Sequence, residues 1–432
     1  MSFSPALAGY SAAVRLLAPF AGLWLNDRAR KGKEDSARLP ERFGRYAQAR
    51  PAGRLIWLHA ASVGESGVAL SLIEAMAARD NALSFVISTG TRTSADLVAR
   101  RAPPRVTHVY APLDSAGPVR RFLDHWRPDL GVFVESELWP NLILAAEARR
   151  IPLALVNARM SPKSLARWRR WGKAGARLLK PFAFVAAADA RTADALCEVR
   201  GGDVPMLGNL KLAAPAPRVD AGARAAFAEQ IGARPVWLAA STHAGEDEIV
   251  LAAHAKLRAA EPRALLVIAP RHPERGEAIA LLADAAPRRA RFEPVNGASV
   301  YVADTLGELG LFYALAPVSL VAGSLLPHLK GHNPIEPAKL NSAILTGPHV
   351  ESFQDVFGAI QAAGGAQATH DADSIAKAVL TLWRDDAARA RQVEAARAAT
   401  AQGAGALDMT ARRLLELTPK RPAQANTAHA SA

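Results

Sequence analysis

The sequence predicts an α/β fold of two doubly wound domains behind a membrane-associated N-terminal helix. Three observations predict it. The chain has 432 residues, more than one hydrophobic core ordinarily supports. Short, continuous apolar runs alternate with helical patterns in two successive series, as in parallel sheets covered on both faces. Between the series, Leu212–Arg218 combines small residues with spaced prolines and reads as a linker.

The N-terminal stretch Leu7–Leu25 is apolar except for Arg15 and is about as long as the roughly 20 residues that span a bilayer. Arg28, Arg30, Lys31, Lys33, Arg38, Arg42 and Arg45 follow it. It lacks the basic start and small-residue cleavage site of a signal peptide. Residues 1–26 therefore read as an anchor helix, an interfacial helix or a helix packed on the body. The basic flank puts the body in the cytosol.

The strands predicted within residues 27–211 are Leu55–Ala60, Leu83–Thr89, Val106–Asp114, Asp129–Ser136, Pro152–Arg159 and Phe182–Asp189. Within residues 219–418 they are Val236–Thr242, Ala264–Arg271, Ala298–Thr305, Val318–Ser324 and Ser342–Pro348. Residues 419–432 read as a disordered tail. Two such Rossmann-like domains frame a cleft, with ligands bound outside the carboxyl ends of the strands.

Half the residues are hydrophobic and 22% are charged, which suits a globular chain. A single cysteine, Cys197, excludes a disulfide framework. The net charge of +13 attracts phosphate, whether on lipid or nucleotide. No helix-turn-helix, zinc or RNA-binding signature accompanies it, so nucleic acid is not an expected partner.

The candidate chemistry lies at predicted strand ends. In His59–Glu65, glycine allows close backbone approach, and Glu65 at a helix start reads either as a helix cap or as a base. Glu135 and Glu137 flank Ser136 beside Trp139 and Pro140, at a strand end that also reads as a helix start. Arg159–Lys180 holds eight basic and no acidic residues. Among them, Arg159, Lys163, Arg167 and Arg170 stand with Trp168 and Trp171 on a predicted amphipathic helix. It reads equally as an acceptor or membrane surface and as a solvated basic face. In the second half, Gly208–Lys211, Ser241–His243, Pro270–Arg275, Asp304–Leu309, Gly323–Ser324 and Gly331–Ala338 follow strands in turn. Lys211 and Arg271 suit a phosphate, and Glu336 suits the hydroxyls of a ribose. His59, His243, His272, His328 and His332 are scattered along the chain, and no catalytic metal or other cofactor is expected.

The motifs HAASVGE, ESELWPN, NARMSPKS, GNLK, PRHPER, TLGEL and GHNPIEPA occur in this order after RLPERFGRY. Together they resemble the 3-deoxy-D-manno-octulosonic acid (Kdo) transferase family, from about Leu39 to Pro348. The resemblance implies a GT-B fold, with the acceptor on the N-terminal domain and CMP-Kdo on the C-terminal one. It implies an inverting, metal-independent transfer to a lipid A precursor, lipid IVA, in lipopolysaccharide synthesis at the cytoplasmic face of the inner membrane. By the same resemblance Glu65 is the general base, and Glu135 and Lys211 stabilise the transition state. Pro270, Arg271, Gly307, Glu308, Leu309, Asn333, Pro334, Ile335 and Glu336 match CMP-binding positions. Two alternatives stand beside it: a GT-B enzyme with another nucleotide-sugar donor, and a non-enzymatic protein that binds anionic lipid at the membrane periphery.

Overall fold

The computed structural model describes residues 4–135, 138–161, 164, 166, 168, 170 and 172–419. It divides into two compact units. The first holds the described residues up to Ala213 together with those from Gly403 onward; the second is Ala214–Gln402.

The first unit is built on β1 (Leu55–His59), β2 (Ser84–Thr89), β3 (Val106–Tyr110), β4 (Leu130–Val134), β5 (Leu153–Ala158) and β6 (Phe182–Ala187). Their order is β3-β2-β1-β4-β5-β6, and every pairing is parallel. Successive side chains of β1 enter different cores. Leu55 and Trp57 pack with Phe122 and Trp126, while Ile56 and Leu58 pack with Val68 and Leu72 of the helix Val63–Ala77. A strand buried on both faces has no polar side, and this explains its unbroken apolar run.

The second unit repeats the design with β7 (Val236–Thr242), β8 (Leu265–Pro270), β9 (Val300–Val302), β10 (Val318–Val321), β11 (Ala343–Thr346) and β12 (Ala366–Ala368). The order is β12-β11-β10-β7-β8-β9, again parallel throughout. Each sheet therefore starts in its middle, winds outward, and then restarts on the other side. The two switch points fall between β1 and β4 and between β7 and β10, where doubly wound sheets bind ligands.

Two predicted boundaries are corrected and one strand is added. The linker does not begin at Leu212, because Leu212 is buried and the turn Leu210–Ala213 packs against Gly403. The last helix, Asp386–Leu417, does not belong wholly to the second domain. Its Gln392 Nε2 donates to Ile344 O at 2.7 Å, whereas Ala406, Ala411 and Leu414 lie in the core of the first unit. The added strand is β12, the sixth in the second sheet. Its Ala-Gln-Ala carries no apolar pattern for a sequence reading to find. The tail assigned to 419–432 lies outside the described residues beyond Pro419.

At the N-terminus the helix Pro5–Leu17 continues through a short 3₁₀ turn, Ala18–Phe20, into the helix Ala21–Arg30. One face docks on the body. Leu7 packs with Ala174 and Leu178, Tyr10 donates its hydroxyl to Asp114 Oδ2 at 3.0 Å, and Ser11 donates to Asn141 Oδ1 at 2.6 Å. The other face leaves Leu16, Leu17, Phe20 and Leu23 at least 63% exposed. Among the described residues, Pro5–Arg30 is the one segment long and apolar enough to cross a membrane. The basic flank is partly engaged: Arg28 and Arg42 pair with Glu34, and Arg38 with Glu41.

Candidate active site

At the first switch point, β1 hands over to the helix Val63–Ala77 through Ala60, Ala61 and Ser62. Ser62 caps that helix, accepting from Glu65 N at 3.3 Å. The buried Glu65 carboxylate accepts from Ser62 Oγ and Ala61 N, both at 2.7 Å. The cap reading of Glu65 is thus realised, and it holds the carboxylate at the end of the central strand.

Glu135 follows β4 with φ of 60°, a left-handed backbone that non-glycine residues adopt at some cost. Its Oε1 lies 2.7 Å from Lys211 Nζ. Lys211 also leans on Gly64, where an added Cβ would sit 3.4 Å from Lys211 Cε. The lysine thus lies against the backbone one residue before Glu65. Two residues of the motifs NARMSPKS and GNLK, to which no role was assigned, hold this group. Asn157, on β5 and itself at φ of 53°, donates to Glu135 Oε1 at 3.4 Å and accepts from Leu210 N at 2.9 Å. Asn209 Oδ1 accepts from Lys211 N at 3.0 Å. A lone asparagine inside the apolar run LALVNA was the available signal for Asn157.

Behind this group His59 is fully buried, which lowers its pKa to about 3. Its Nδ1 lies 3.0 Å from Ser88 Oγ, and its ring meets Trp139 edge-on with centroids 4.7 Å apart. A neutral, enclosed imidazole here is part of the packing.

The predicted basic helix is interrupted. Gly172, at φ of 39°, separates the residues before it from the helix Lys173–Leu179. Arg159 stands 3.9 Å from Asp189, Trp168 packs against Ala174 and Leu178, and Arg170 is exposed. Lys163, Arg167 and Trp171 lie outside the described residues, as do Ser136 and Glu137.

In the second unit the buried Glu246 organises the other switch point. Its Oε2 accepts from His243 N at 3.0 Å and Gly323 N at 2.8 Å, and its Oε1 from Ser324 N and Leu325 N, both at 2.9 Å. One carboxylate thereby ties the loop after β7 to the loop after β10. Sequence reasoning passed over it because an acid near a helix start is ordinary.

The histidines are less scattered than their spacing implies. His243 Nε2 and His332 Nε2 are 2.8 Å apart, with rings inclined by 12°, and His272 meets His243 edge-on. Gly323 makes this possible, since a Cβ there would lie 2.3 Å from His332 Cδ2. Burial, and then the Arg271 charge, lower the His332 pKa to about 4; burial lowers that of His243 as well. Arg271 follows Pro270 at the end of β8, its N–H donating to Thr242 O at 3.0 Å.

Asn333 Oδ1 accepts from Ile335 N at 3.1 Å, and its Nδ2 donates to Glu336 Oε1 at 3.3 Å, shaping the turn Asn333–Glu336. Gly307, at φ of 85°, leads into Glu308 and Leu309 at a helix start. Arg289 grips Glu308 with two nitrogens and holds its carboxyl below the usual range. Among the described residues, no three His, Cys, Asp or Glu side chains form a metal-binding group. Asp371 and Asp373, a D-x-D pair, open the helix Ala372–Arg384, and Asp371 serves as its cap.

The site in each unit thus gathers acidic, basic and polar groups at the switch point of a parallel sheet. A glycosyltransferase structure from Rickettsia africae shares this architecture, with a TM-score of 0.54 at 12% identity over 86% of this chain and 100% of that one. The fold is of GT-B type. Residues 37–214 match the family model for 3-deoxy-D-manno-octulosonic-acid transferase (kdotransferase). The 3-deoxy-D-manno-octulosonic acid transferase of Bordetella pertussis is 36% identical over 416 residues, covering 93% of this chain and 97% of that one. The transferase of the same name from Haemophilus influenzae is 34% identical over 400 residues, covering 88% and 90%. The chain belongs to the Kdo transferase family and is a glycosyltransferase.

Proposed function

We propose that this enzyme transfers Kdo from CMP-Kdo to a lipid A precursor, lipid IVA, with inversion and without a metal ion. The observation that carries the reading is the Glu135–Lys211 ion pair of 2.7 Å beside the Glu65 loop. An acceptor hydroxyl attacks the anomeric carbon of Kdo while the bond from that carbon to the CMP phosphate oxygen breaks. The electron pair leaves with CMP, and the hydroxyl proton passes to Glu65. A single displacement needs one base and inverts the carbon. Lys211, oriented by Glu135 and Asn209, supplies fixed positive charge to the developing negative charge. Arg271 and the backbone turns at Gly307–Leu309 and Asn333–Glu336 hold the nucleotide, where one phosphate leaves without a divalent cation.

The exposed Leu16, Leu17, Phe20 and Leu23 offer an apolar surface to the inner membrane while Tyr10 and Ser11 hold the helix on the protein. The basic flank argues for the cytoplasmic face. Arg159, Arg170 and Trp168 belong to the same acceptor or membrane surface.

The test is transfer by the purified protein to a tetra-acylated lipid A precursor, with CMP-Kdo generated in place and EDTA present. A product carrying Kdo of inverted anomeric configuration supports the reading. Glu65→Gln is expected to bind CMP-Kdo but to lose roughly 10²- to 10⁴-fold in kcat. Unchanged turnover in that variant removes Glu65 as base. CMP binding with no lipid product overturns the acceptor.

A further inference from the structure

A chamber of about 580 Å³ lies in the first unit between the N-terminal helices and the strand ends. That volume falls within the range of small-ligand pockets. Its walls include Trp24, Leu113, Leu138, Trp139, Met160 and Leu178. Four polar side chains reach it: Tyr10 and Asp114 are bonded to each other, Arg42 is bonded to backbone with its Nε left over, and Ser164 accepts from Ser161. Asp114 accepts from Tyr10 Oη at 3.0 Å, Asn141 N at 3.1 Å and Leu142 N at 2.8 Å. Arg42 donates to Ala111 O at 2.5 Å and faces Glu34 at 3.6 Å. What remains for a ligand is mostly apolar surface.

We propose that this chamber holds one acyl chain of the lipid acceptor. The inference rests on the acceptor reading above and adds a binding site to it. Two contacts fix the occupant. Trp24 lines the chamber and is still 53% exposed, beside the exposed Phe20 and Leu23, so the chamber wall continues into the membrane-facing side of the helix. On the inner side Trp139 lines the chamber and touches His59, the last residue of β1. A chain seated there joins the bilayer surface to the strand end that carries Glu65. A sugar would find only Ser164 and the Arg42 Nε for its several hydroxyls and would leave the others unpaired against these walls.

Filling the chamber from two walls tests the idea, with Leu113→Trp and Leu138→Trp made separately. Both are half-buried, so added bulk has room to project inward. Each variant and the parent protein are assayed with the tetra-acylated acceptor and with its fully deacylated counterpart, in one detergent. The expected result is a KM at least tenfold higher for the acylated acceptor, with KM for the deacylated acceptor and for CMP-Kdo unchanged. Equal effects on both acceptors, or no effect on either, overturn the chamber as an acyl site. A turnover-independent readout is crosslinking by a diazirine-tagged fourteen-carbon fatty amide, mapped by mass spectrometry. Labels on Leu113 or Trp139 that lipid A precursor displaces support the proposal; labels displaced by phosphatidylglycerol alone assign the chamber to bulk lipid and overturn it. A parent enzyme that transfers Kdo to neither acceptor sinks the acceptor reading itself, an outcome distinct from all of these.

Discussion

Lys211 Nζ and Glu135 Oε1 are 2.7 Å apart, although 76 positions separate them in the chain. Neither side chain is fully enclosed, at 23% and 15% exposed. Such a pair orients charge rather than hiding it. Asn157 links the two ends, donating to Glu135 and accepting from the backbone next to Lys211.

Lys211→Met should lower kcat by about 10²- to 10³-fold, the loss seen when one preorganised donor is removed from a reacting centre. Asn157→Ala should act through Glu135 and Lys211, with a smaller kcat loss and little change in donor KM. Steady-state kinetics of both variants and the double variant check this. Fully additive losses would separate Asn157 from the pair.

Glu246→Gln is nearly isosteric, yet it leaves one carbonyl oxygen and one NH₂ facing four backbone donors. Two of those N–H groups then meet another donor. A loss of roughly 3 kcal/mol or more is expected from charge-assisted bonds of this kind. Chemical denaturation measures it, and a variant within experimental error of the parent would refute the role of the clamp.

His254 accepts from Trp237 Nε1 at its Nδ1 (3.2 Å), so its own proton sits on Nε2 and points at Ser299 O, 2.8 Å away. Protonating Nδ1 would set two donors against each other. Burial lowers its pKa from 6.5 to about 4. Between those values the unfolded chain binds the proton and the folded one does not. The contribution to stability is present above about pH 6.5 and is lost as pH falls towards 4. His254→Gln should flatten the stability profile in that window, read by urea denaturation at several pH values. An unaltered slope would contradict the assignment.

Phe20→Glu with Leu23→Glu should weaken binding to anionic vesicles at least tenfold while leaving thermal stability within about 0.5 kcal/mol, as for exposed positions. Co-sedimentation checks it. Binding that survives both changes transfers the membrane surface to the basic region around Arg159–Lys180.

Much of this architecture is written locally. Eleven of the strands can be read from short, mainly apolar runs, because the inner strands of a parallel sheet are buried on both faces. The motifs at their ends place Glu65 in the first turn of a helix after β1, Glu135 just after β4 and Arg271 just after β8, since the polarity of a parallel sheet sends these connections to its carboxyl edge. What local pattern could not supply was partnership. That Lys211 reaches Glu135, that His243 meets His332, and that Glu246 ties two loops depends on strand order, which brings β4 beside β1 and β10 beside β7. The return of Ala406–Leu414 to the first unit is of the same kind. A helix carries its apolar face in its sequence, but only the folded chain decides which core that face fills.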